Sequence, residues 1–401
     1  MKKSDKKKGK MKNPFRPGAG HKPPHLAGRK REIREFVELL DQEVITTNVV
    51  LTGLRGVGKT VLLDILKPIA QSNGWLWVGT DLSESSSLSE ETIAKRLITD
   101  LSPLTAEIVV GSHQENKPGF ERDTETHEFK LEHHVLQRIY DTSPGMPVDK
   151  LMMVFRTVQT AIERVGKSGI IFAYDEAQTM VDHVKEKEFP LALLLQAFQS
   201  VQRMGAKFML VLTGLPTLFS NLVESRTYAE RMFHTIFLDR LNKADSKEAI
   251  VVPVKDGPFS FTDESVETIV NTSGGYPYFL QFICREVYDL FIAGVTSVPI
   301  AEILTKLDAD FFSGRWQRLT DRQRELLWVA AHLENCDSEF TVQEIADSAK
   351  ESLSSGFTPS HVNQMLASLC EKGLVFKNRH GRYSFAVPLL DGFIRRQVRP
   401  G

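Results

Sequence analysis

Apolar residues recur along this 401-residue chain in two patterns, which predict strands alternating with helices. Short continuous apolar runs are typical of strands buried in a parallel sheet, and they occur at 48–53, 75–82, 169–176 and 207–214, with a shorter one near 233–239. Helical spacing occurs between them, at 29–41, 59–70, 88–101, 150–165 and 189–204. Alternation of this kind indicates an α/β fold with a doubly wound parallel sheet.

Three regions depart from this alternation. Residues 1–25 begin with a Lys-rich stretch, predicted to be a disordered basic tail, and continue into a Pro/Gly-rich segment that excludes regular structure. Residues 102–148 have no clear period, so we expect an insertion or a long connection outside the core. Residues 242–314 are helical and are expected to form a lid on a core of residues 26–241.

The last part of the chain, 319–401, predicts a winged helix-turn-helix domain after a junction at 313–320. Helical patterns cover 319–333, 341–349 and 358–373; the third has Pro359 in its first turn and Gly373 at its end. The alternating stretch 374–385 contains a Gly turn and predicts a β-hairpin, the wing.

Composition narrows the function classes. The 50 Lys and Arg residues nearly balance the 51 Asp and Glu residues, so any basic surface for nucleic acid must be local. The three cysteines stand far apart, which argues against a disulfide framework or a zinc site and suits a reducing cytoplasm. No apolar run approaches the length of a membrane span, and the Lys-rich start lacks the apolar core of a signal peptide.

The stretch "GLRGVGKT" at 53–60 fits the P-loop pattern and has the required strand before it and helix after it. Its glycines let backbone N–H groups surround phosphate oxygens. In that geometry Lys59 reaches the β- and γ-phosphates of ATP, and the Thr60 hydroxyl binds Mg²⁺. The residues assigned to the nucleotide here are Gly53, Gly56, Val57, Gly58, Lys59, Thr60 and Val61.

An acidic site is predicted at the end of the strand "GIIFAYDE". Asp175 is expected to hold Mg²⁺ through water, and Glu176 to orient and polarise the attacking water. Two adjacent carboxylates favour hydrolysis over nucleotide binding alone. The next buried strand delivers Thr213 to the same sheet edge, where it is expected to sense the γ-phosphate or the water; a Thr that merely ends a strand is the alternative.

Taken together, these motifs resemble an initiator-like (Orc-like) AAA ATPase domain and its relatives among the archaeal-type STAND ATPases. The resemblance covers roughly 26–290 through "LAGRKREI", "LTGLRGVGKT", "DEAQ" and "LTGLP", followed by "YAERMFHTIFLDRL" and "GGYPYFLQFICREVY". It implies an AAA+/STAND-like P-loop sheet with a helical lid and a C-terminal winged helix.

The resemblance also implies roles for residues outside the P-loop. Gly28 and Arg29 would lie over adenine and ribose, and Gly275, Tyr276 and Pro277 of the lid would pack on the nucleotide. Arg231 would be an arginine finger or sensor, in cis or from a neighbouring subunit, which allows a nucleotide-dependent oligomer; a surface salt bridge is its alternative. The chain departs from the family in having no Arg at the usual sensor-2 position.

The first functional interpretation is an ATP-driven, Mg²⁺-dependent molecular switch that acts on DNA. The predicted wing carries Lys377, Asn378, Arg379, His380 and Arg382, which suit phosphate contacts. The third helix has no Arg for reading guanine, so little sequence specificity is expected. The alternative is a STAND-type signalling or defence ATPase whose winged helix contacts a protein partner. Metabolic phosphotransfer is disfavoured, since no second-substrate pocket is recognisable.

Overall fold

The computed structural model describes residues 12–18, 20–82, 89–116, 124–257, 259–294, 298–379 and 381–398, with the backbone alone for 110–116, 124–129 and 379. The chain divides into two compact units. We call Lys30–Gly53 with Leu62–Leu238 the sheet unit, and Met1–Arg29 with Leu54–Val61 and Asp239–Gly401 the helical unit. The predicted basic tail over 1–11 lies outside the described residues, as does His380 of the predicted wing.

The elements of the sheet unit, with the start of α2 contributed by the helical unit, are in chain order α1 (Lys30–Leu40), β1 (Asn48–Thr52), α2 (Lys59–Ser72), β2 (Trp75–Val78), α3 (Glu90–Thr105), β3 (Val109–Asn116), β4 (Thr124–Lys130), α4 (His133–Thr142), α5 (Pro147–Arg164), β5 (Gly169–Tyr174), α6 (Pro190–Arg203), β6 (Phe208–Gly214), α7 (Thr217–Ser225), α8 (Ala229–Met232) and β7 (Phe233–Phe237). Five strands form one parallel sheet in the order β2-β5-β6-β1-β7. The predicted α/β fold with a parallel sheet is therefore confirmed.

The centre of this sheet is buried on both faces, because helices cover it on either side. Every residue of β1, β5 and β6 is buried. Four phenylalanines from α5, β5, α6 and β6 pack edge to face or tilted with ring centroids 4.9–5.7 Å apart: Phe155, Phe172, Phe198 and Phe208. This packing makes the strands a rigid base for the loops at their carboxyl ends.

Part of the region 102–148 belongs to the core, contrary to the expectation of a connection outside it. Strands β3 and β4 form an antiparallel hairpin, and α4 follows directly. Leu131, Leu136 and Tyr140 are buried in the same apolar cluster as the sheet. Leu136 and Tyr140 are four residues apart on one face of α4, so a short helix with only two buried side chains joins the core.

The elements of the helical unit that follow β7 are α9 (Lys243–Val251), α10 (Asp263–Ser273), α11 (Pro277–Ile292), α12 (Ile300–Leu307), α13 (Ser313–Gln317), α14 (Asp321–Ala331), β8 (Phe340–Thr341), α15 (Val342–Ser352), α16 (Pro359–Glu371), β9 (Val375–Arg379), β10 (Arg382–Phe385) and α17 (Leu390–Arg396). Strands β8, β10 and β9 form a small antiparallel sheet. Helices α14, α15 and α16 with this sheet have the element order of a winged helix. Among the described residues, no helix is long and apolar enough to cross a membrane.

The predicted junction at 313–320 is helical at its start, and the residues before it are helical as well. A π-helical turn, Asp308–Phe312, links α12 to α13 without a break. The fully buried Phe312 stacks on Phe279 of α11 at 6.1 Å and on Phe393 of α17 at 5.0 Å. Helices α11 and α17 therefore share one apolar core, since the same aromatic side chain packs against both.

The Pro/Gly-rich segment before α1 contains no helix or strand where it is described, as its composition predicts. It is nevertheless fixed to the lid helix α11. Phe15 is buried, and the Asn13 amide donates hydrogen bonds to the Arg285 carbonyl at 2.9 Å and to Asp289 Oδ1 at 2.8 Å. The buried Phe15 ring and the Asn13 hydrogen bonds together hold this segment against α11.

Candidate nucleotide-binding site

The predicted P-loop connects β1 to α2. Gly56 and Gly58 have φ of +79° and +93°, which side chains with a Cβ rarely adopt, so the turn requires glycine at both positions. Lys59 is the first residue of α2 and is buried, and its Nζ donates to the Leu54 carbonyl at 2.9 Å. The ammonium thus lies across the loop, beside the N–H groups of the first turn of α2, which suits a phosphate.

Arg29 braces the P-loop from the segment before α1. Its side chain is only 6% exposed, and Nη2 donates to the carbonyls of Val57 at 2.9 Å and Asp239 at 2.8 Å. Gly28 precedes it with φ of +66°, and a Cβ there would lie 2.7 Å from an Asp245 carboxylate oxygen. The family resemblance predicts that Gly28 and Arg29 lie over adenine and ribose. The hydrogen bond from Arg29 to the Val57 carbonyl indicates that Arg29 also restrains the P-loop.

The start of the lid helix α11 also reaches the P-loop, through a residue that the sequence did not single out. The Tyr278 N–H donates to the Gly56 carbonyl at 3.1 Å, and a Cβ on Gly56 would lie 3.1 Å from the Tyr278 Cβ. Pro277 is the first residue of α11, and Tyr276 precedes it as the cap. Burial raises the pKa of both the Tyr276 and the Tyr278 phenols, so both stay neutral. Only the proximity of Tyr278 to "GGYP" could have indicated this contact.

The predicted lid glycine Gly275 is needed for the turn that precedes α11. Its φ is +76°, and a Cβ there would lie 2.4 Å from the Leu241 carbonyl oxygen. The Gly275 carbonyl accepts a hydrogen bond from the Leu241 N–H at 2.8 Å. This close approach of two backbones fixes where α11 begins, and with it the positions of Tyr276 and Pro277.

Arg55 extends from the P-loop toward the turn between α16 and β9. Its Nη2 lies 2.9 Å from where a Cβ on Gly373 would stand, in the turn between α16 and β9. Burial lowers the pKa of Arg315 in α13, and the nearby Arg55 and Arg318 guanidinium groups lower it further. The contacts of Gly56, Val57 and Arg55 thus join the loop to the lid, to the segment before α1 and to the C-terminal domain.

The acidic pair follows β5. Asp175 is 3% exposed, and its Oδ1 accepts a hydrogen bond from the Glu176 N–H at 2.8 Å. Glu176 has φ of +52° and ψ of +31°, a left-handed backbone that costs a residue with a Cβ about 1–3 kcal/mol. The Glu176 side chain is exposed and accepts a hydrogen bond from the Gln178 amide. Strain at a carboxylate of this kind is common at active sites.

Thr213 lies at the carboxyl end of β6, the strand between β1 and β5. It pairs with Leu51 of β1, and Leu212 before it pairs with Tyr174, so Thr213 and Asp175 are the next residues of neighbouring strands. The Thr213 hydroxyl is buried and has no hydrogen-bond partner among the described residues, and the same holds for Thr52. An unpaired buried hydroxyl costs about 1–3 kcal/mol, which a bound water or phosphate oxygen would offset.

These features fit Mg²⁺–nucleotide chemistry. The Thr60 hydroxyl, in the helical unit, and the Asp175 carboxylate, in the sheet unit, are each a hard oxygen donor of the kind that Mg²⁺ prefers. Within the sheet unit, Thr213 has an unsatisfied hydroxyl at the same sheet edge as Asp175. Arg231 is the one cationic residue of the short helix α8. Its side chain is exposed and forms no ion pair with any described residue. The salt bridge that would explain it structurally is therefore absent from the described part of the chain.

Comparisons with known proteins show the fold. Residues 309–394 match a family model described as "Domain of unknown function (DUF8462)". No match was found among the curated proteins. The chain is similar to the Walker-type ATPase PABY2304 of Pyrococcus abyssi, with 17% identity and a TM-score of 0.58 over 92% of this chain and 96% of that one. It is also similar to the Aeropyrum pernix ORC2 protein in ADPNP–ADP complexes, with 14% identity and a TM-score of 0.52 over 94% and 96%. The resemblance to Orc-like AAA ATPases is thereby confirmed as a likeness of fold.

Proposed function

We propose that this protein binds and hydrolyses ATP with Mg²⁺ and uses the cycle as a conformational switch. The observation that carries the proposal is the P-loop itself: two glycines at positive φ, followed by Lys59 at the first position of a 14-residue helix. Backbone N–H groups, a helix N-terminus and an ammonium at one turn form a site for the phosphates of a nucleotide. The two similar structures named above, an ATPase and a protein in complex with ADPNP and ADP, support the choice of ligand.

In the proposed mechanism the loop N–H groups and Lys59 bind the β- and γ-phosphates and neutralise the charge that grows between them. Thr60 and Asp175 would hold Mg²⁺, which would withdraw negative charge from the phosphate oxygens. Glu176 accepts a hydrogen bond from the attacking water and aligns it with the γ-phosphorus. Thr213 donates its hydroxyl to the γ-phosphate or to the water, and Arg231, from the same chain or a neighbour, is the candidate for stabilising the transition-state charge.

The contacts of the P-loop support a switch rather than hydrolysis alone. The Gly56 carbonyl is bonded to the lid at Tyr278, and Arg55 lies against Gly373 of the winged helix. If the loop changes conformation when phosphate binds, either Tyr278 and Gly373 move with it or these contacts break. Nucleotide state is therefore expected to act on the lid and the C-terminal domain.

Phosphate release from Mg²⁺–ATP tests the hydrolysis. Glu176→Gln keeps the shape and removes the charge, so we expect hydrolysis about 10²–10⁴ times slower with ATP affinity retained. Glu224→Gln, at an exposed glutamate of α7, is the matched control and should behave as wild type. A Glu176→Gln protein that turns over at the wild-type rate would remove Glu176 from the mechanism.

Two partners are proposed for the winged helix, each from one observation. DNA is supported by the wing, where Lys377 is exposed on β9 and Arg382 of β10 pairs with Arg379. A protein partner is supported by the exposed face of α16, which offers uncharged polar residues and His361 but no Lys or Arg.

The contacts of Arg382 and of the basic residues of α17 favour a protein partner over DNA. Arg382 lies 3.8 Å from Glu339, and Glu339 also accepts a hydrogen bond from Asn378 at 3.0 Å. Arg396 is held by both carboxylate oxygens of Asp308, and Arg395 donates to the Ala331 carbonyl. The side chains of Arg382, Asn378, Arg395 and Arg396 are thus engaged in contacts inside the helical unit.

A duplex-binding assay across a salt series separates the two. If the wing contacts DNA, neutralising Lys377, Arg379 and Arg382 should weaken binding equally for unrelated duplexes. It should also flatten the slope of log K against log salt by up to about three. Lys350→Ala, on α15, serves as the control. Absence of duplex binding by the wild type at low salt, with and without ATP, would leave the protein partner.

A further inference from the structure

The Glu176 carboxylate does not stand alone at the end of β5. The residues after it form a 3₁₀ turn, Ala177–Thr179, and the Gln178 side chain folds back toward the strand. Its amide nitrogen donates a hydrogen bond to Glu176 Oε2, and its amide oxygen accepts one from the Leu215 N–H at 3.0 Å. Leu215 is two residues beyond Thr213. One side chain therefore joins the proposed water-activating carboxylate to the loop that follows β6.

The chemistry of the two partners fixes the orientation of this amide. A carboxylate oxygen only accepts hydrogen bonds and a backbone N–H only donates them, so the Gln178 nitrogen must face Glu176 and its oxygen must face Leu215. A shorter side chain cannot span both partners. A glutamate at this position could keep the bond from Leu215 but would face Glu176 with a second negative charge.

The sheet leaves room for this arrangement only because residue 214 is glycine. A Cβ on Gly214 would lie 2.6 Å from Gln178 Oε1 and 3.3 Å from its backbone nitrogen. The first distance is too short for any real contact, so a side chain there would displace the amide. Gly214 ends β6, and its φ is not in the left-handed region, so the turn itself does not require glycine.

The main chain of Glu176 is restrained as well. Its N–H donates to Asp175 Oδ1, and its carbonyl accepts from the Thr179 N–H at 3.0 Å and the Thr179 hydroxyl at 2.9 Å. With the backbone held in its left-handed conformation, the remaining freedom of Glu176 is in its side chain. Gln178 is the described residue that restricts it.

We propose that Gln178 is a positioning residue that holds the Glu176 carboxylate in register with the β6 loop, for water activation in the hydrolysis proposed above. The inference rests on that proposed function. Gln178 itself does not contact the reacting atoms: it acts through Glu176. Because misplacing a catalytic group by about 1 Å can cost about 10²-fold in rate, loss of the bridge should lower kcat and leave ATP binding intact.

The test is steady-state hydrolysis of Mg²⁺–ATP by the full chain, with ATP affinity and thermal unfolding measured in parallel. Gln178→Ala should lower kcat about 10- to 100-fold with KM, affinity and Tm near wild type. Gly214→Ala should give a similar loss, and the double variant Gln178→Ala/Gly214→Ala should be no slower than Gln178→Ala, because both changes break one bridge. Gln159→Ala removes a comparable amide–carboxylate bond to Glu163 on α5 and is the matched control.

Gln178→Glu adds a readout that a purely structural role would not move. The glutamate keeps the length of the side chain but places a second negative charge against Glu176. The kcat of Gln178→Glu should therefore fall at least as far as that of Gln178→Ala, with KM and Tm near wild type. Unchanged kcat in Gln178→Ala, additive losses in the double variant, or wild-type kcat in Gln178→Glu would each overturn the proposal. A wild-type protein without ATPase activity would instead refute the proposed function, and the role of Gln178 would fall with it.

Discussion

Arg29 offers the sharpest test of how the P-loop is held. Arg29→Ala removes two hydrogen bonds from a buried guanidinium, to the carbonyls of Val57 and Asp239. A hydrogen bond to a charged group contributes about 1.5–3 kcal/mol, so the pair is worth about 3–6 kcal/mol to folding. The bond to Val57 orders the loop. If the half of this free energy that comes from the Val57 bond is lost from nucleotide binding, the Kd for ATP rises about 10- to 100-fold.

Arg29→Lys is the informative companion. An ammonium is a point charge that reaches one carbonyl in place of two. The unfolding free energy and the Kd of Arg29→Lys should therefore both be intermediate between those of wild type and Arg29→Ala. Chemical denaturation gives the first quantity and calorimetric titration the second.

The ligand series separates two roles for Arg29. A brace on the loop affects every ligand that binds through phosphates, so inorganic triphosphate and ATP should lose affinity by the same factor. A contact with adenine or ribose, as the family resemblance implies, affects ATP alone. Unchanged affinity for both ligands, together with an unchanged unfolding free energy, would refute the brace.

Three further predictions follow from single residues. Lys59→Ala should abolish measurable ATP binding, because the loop amides alone do not replace its charge; an unchanged calorimetric titration would refute the P-loop assignment. Asp175→Asn should weaken ATP binding with Mg²⁺ more than binding in EDTA, whereas equal losses would speak against a metal role. Asn48→Ala should lower the unfolding free energy by about 2–4 kcal/mol, because the Leu210 N–H and the Gln202 amide each lose a buried acceptor at 2.8 Å. Asn363→Ala, at an exposed position on α16, is the control and should change the unfolding free energy by less than about 0.5 kcal/mol.

The parts of the fold that the sequence predicted are those with strong local patterns. Buried strands such as "NVVLTG" are continuous apolar runs, and the glycines of the P-loop occupy backbone conformations that other residues avoid. The hairpin of β3 and β4 was missed because stretches such as "GSHQEN" and "TETHE" lack apolar alternation. Helix α4 was missed because two buried side chains in ten residues give no visible period.

The site was predictable to the same extent. Lys59, Asp175 and Glu176 follow from motifs in which neighbouring residues carry the chemistry. Gln178 lies inside one of those motifs, but its role depends on Leu215, 37 residues away, and on the absence of a Cβ at Gly214. Side-chain bonds across that distance leave no periodic trace in one sequence.

The P-loop contacts extend this point from prediction to function. Arg55, Gly56 and Val57 are consecutive, and each contacts a different distant segment: Gly373 between α16 and β9, Tyr278 at the start of α11, and Arg29 before α1. Two of the three contacts use backbone carbonyls, so any sequence in this loop with the same backbone would make them. The side chains of the loop residues therefore matter for phosphate binding, whereas the backbone path of the loop determines its contacts with the rest of the helical unit. A change of that path on nucleotide binding would reach the lid and the C-terminal domain without any change in the residues that bind phosphate, which is what the proposed switch requires.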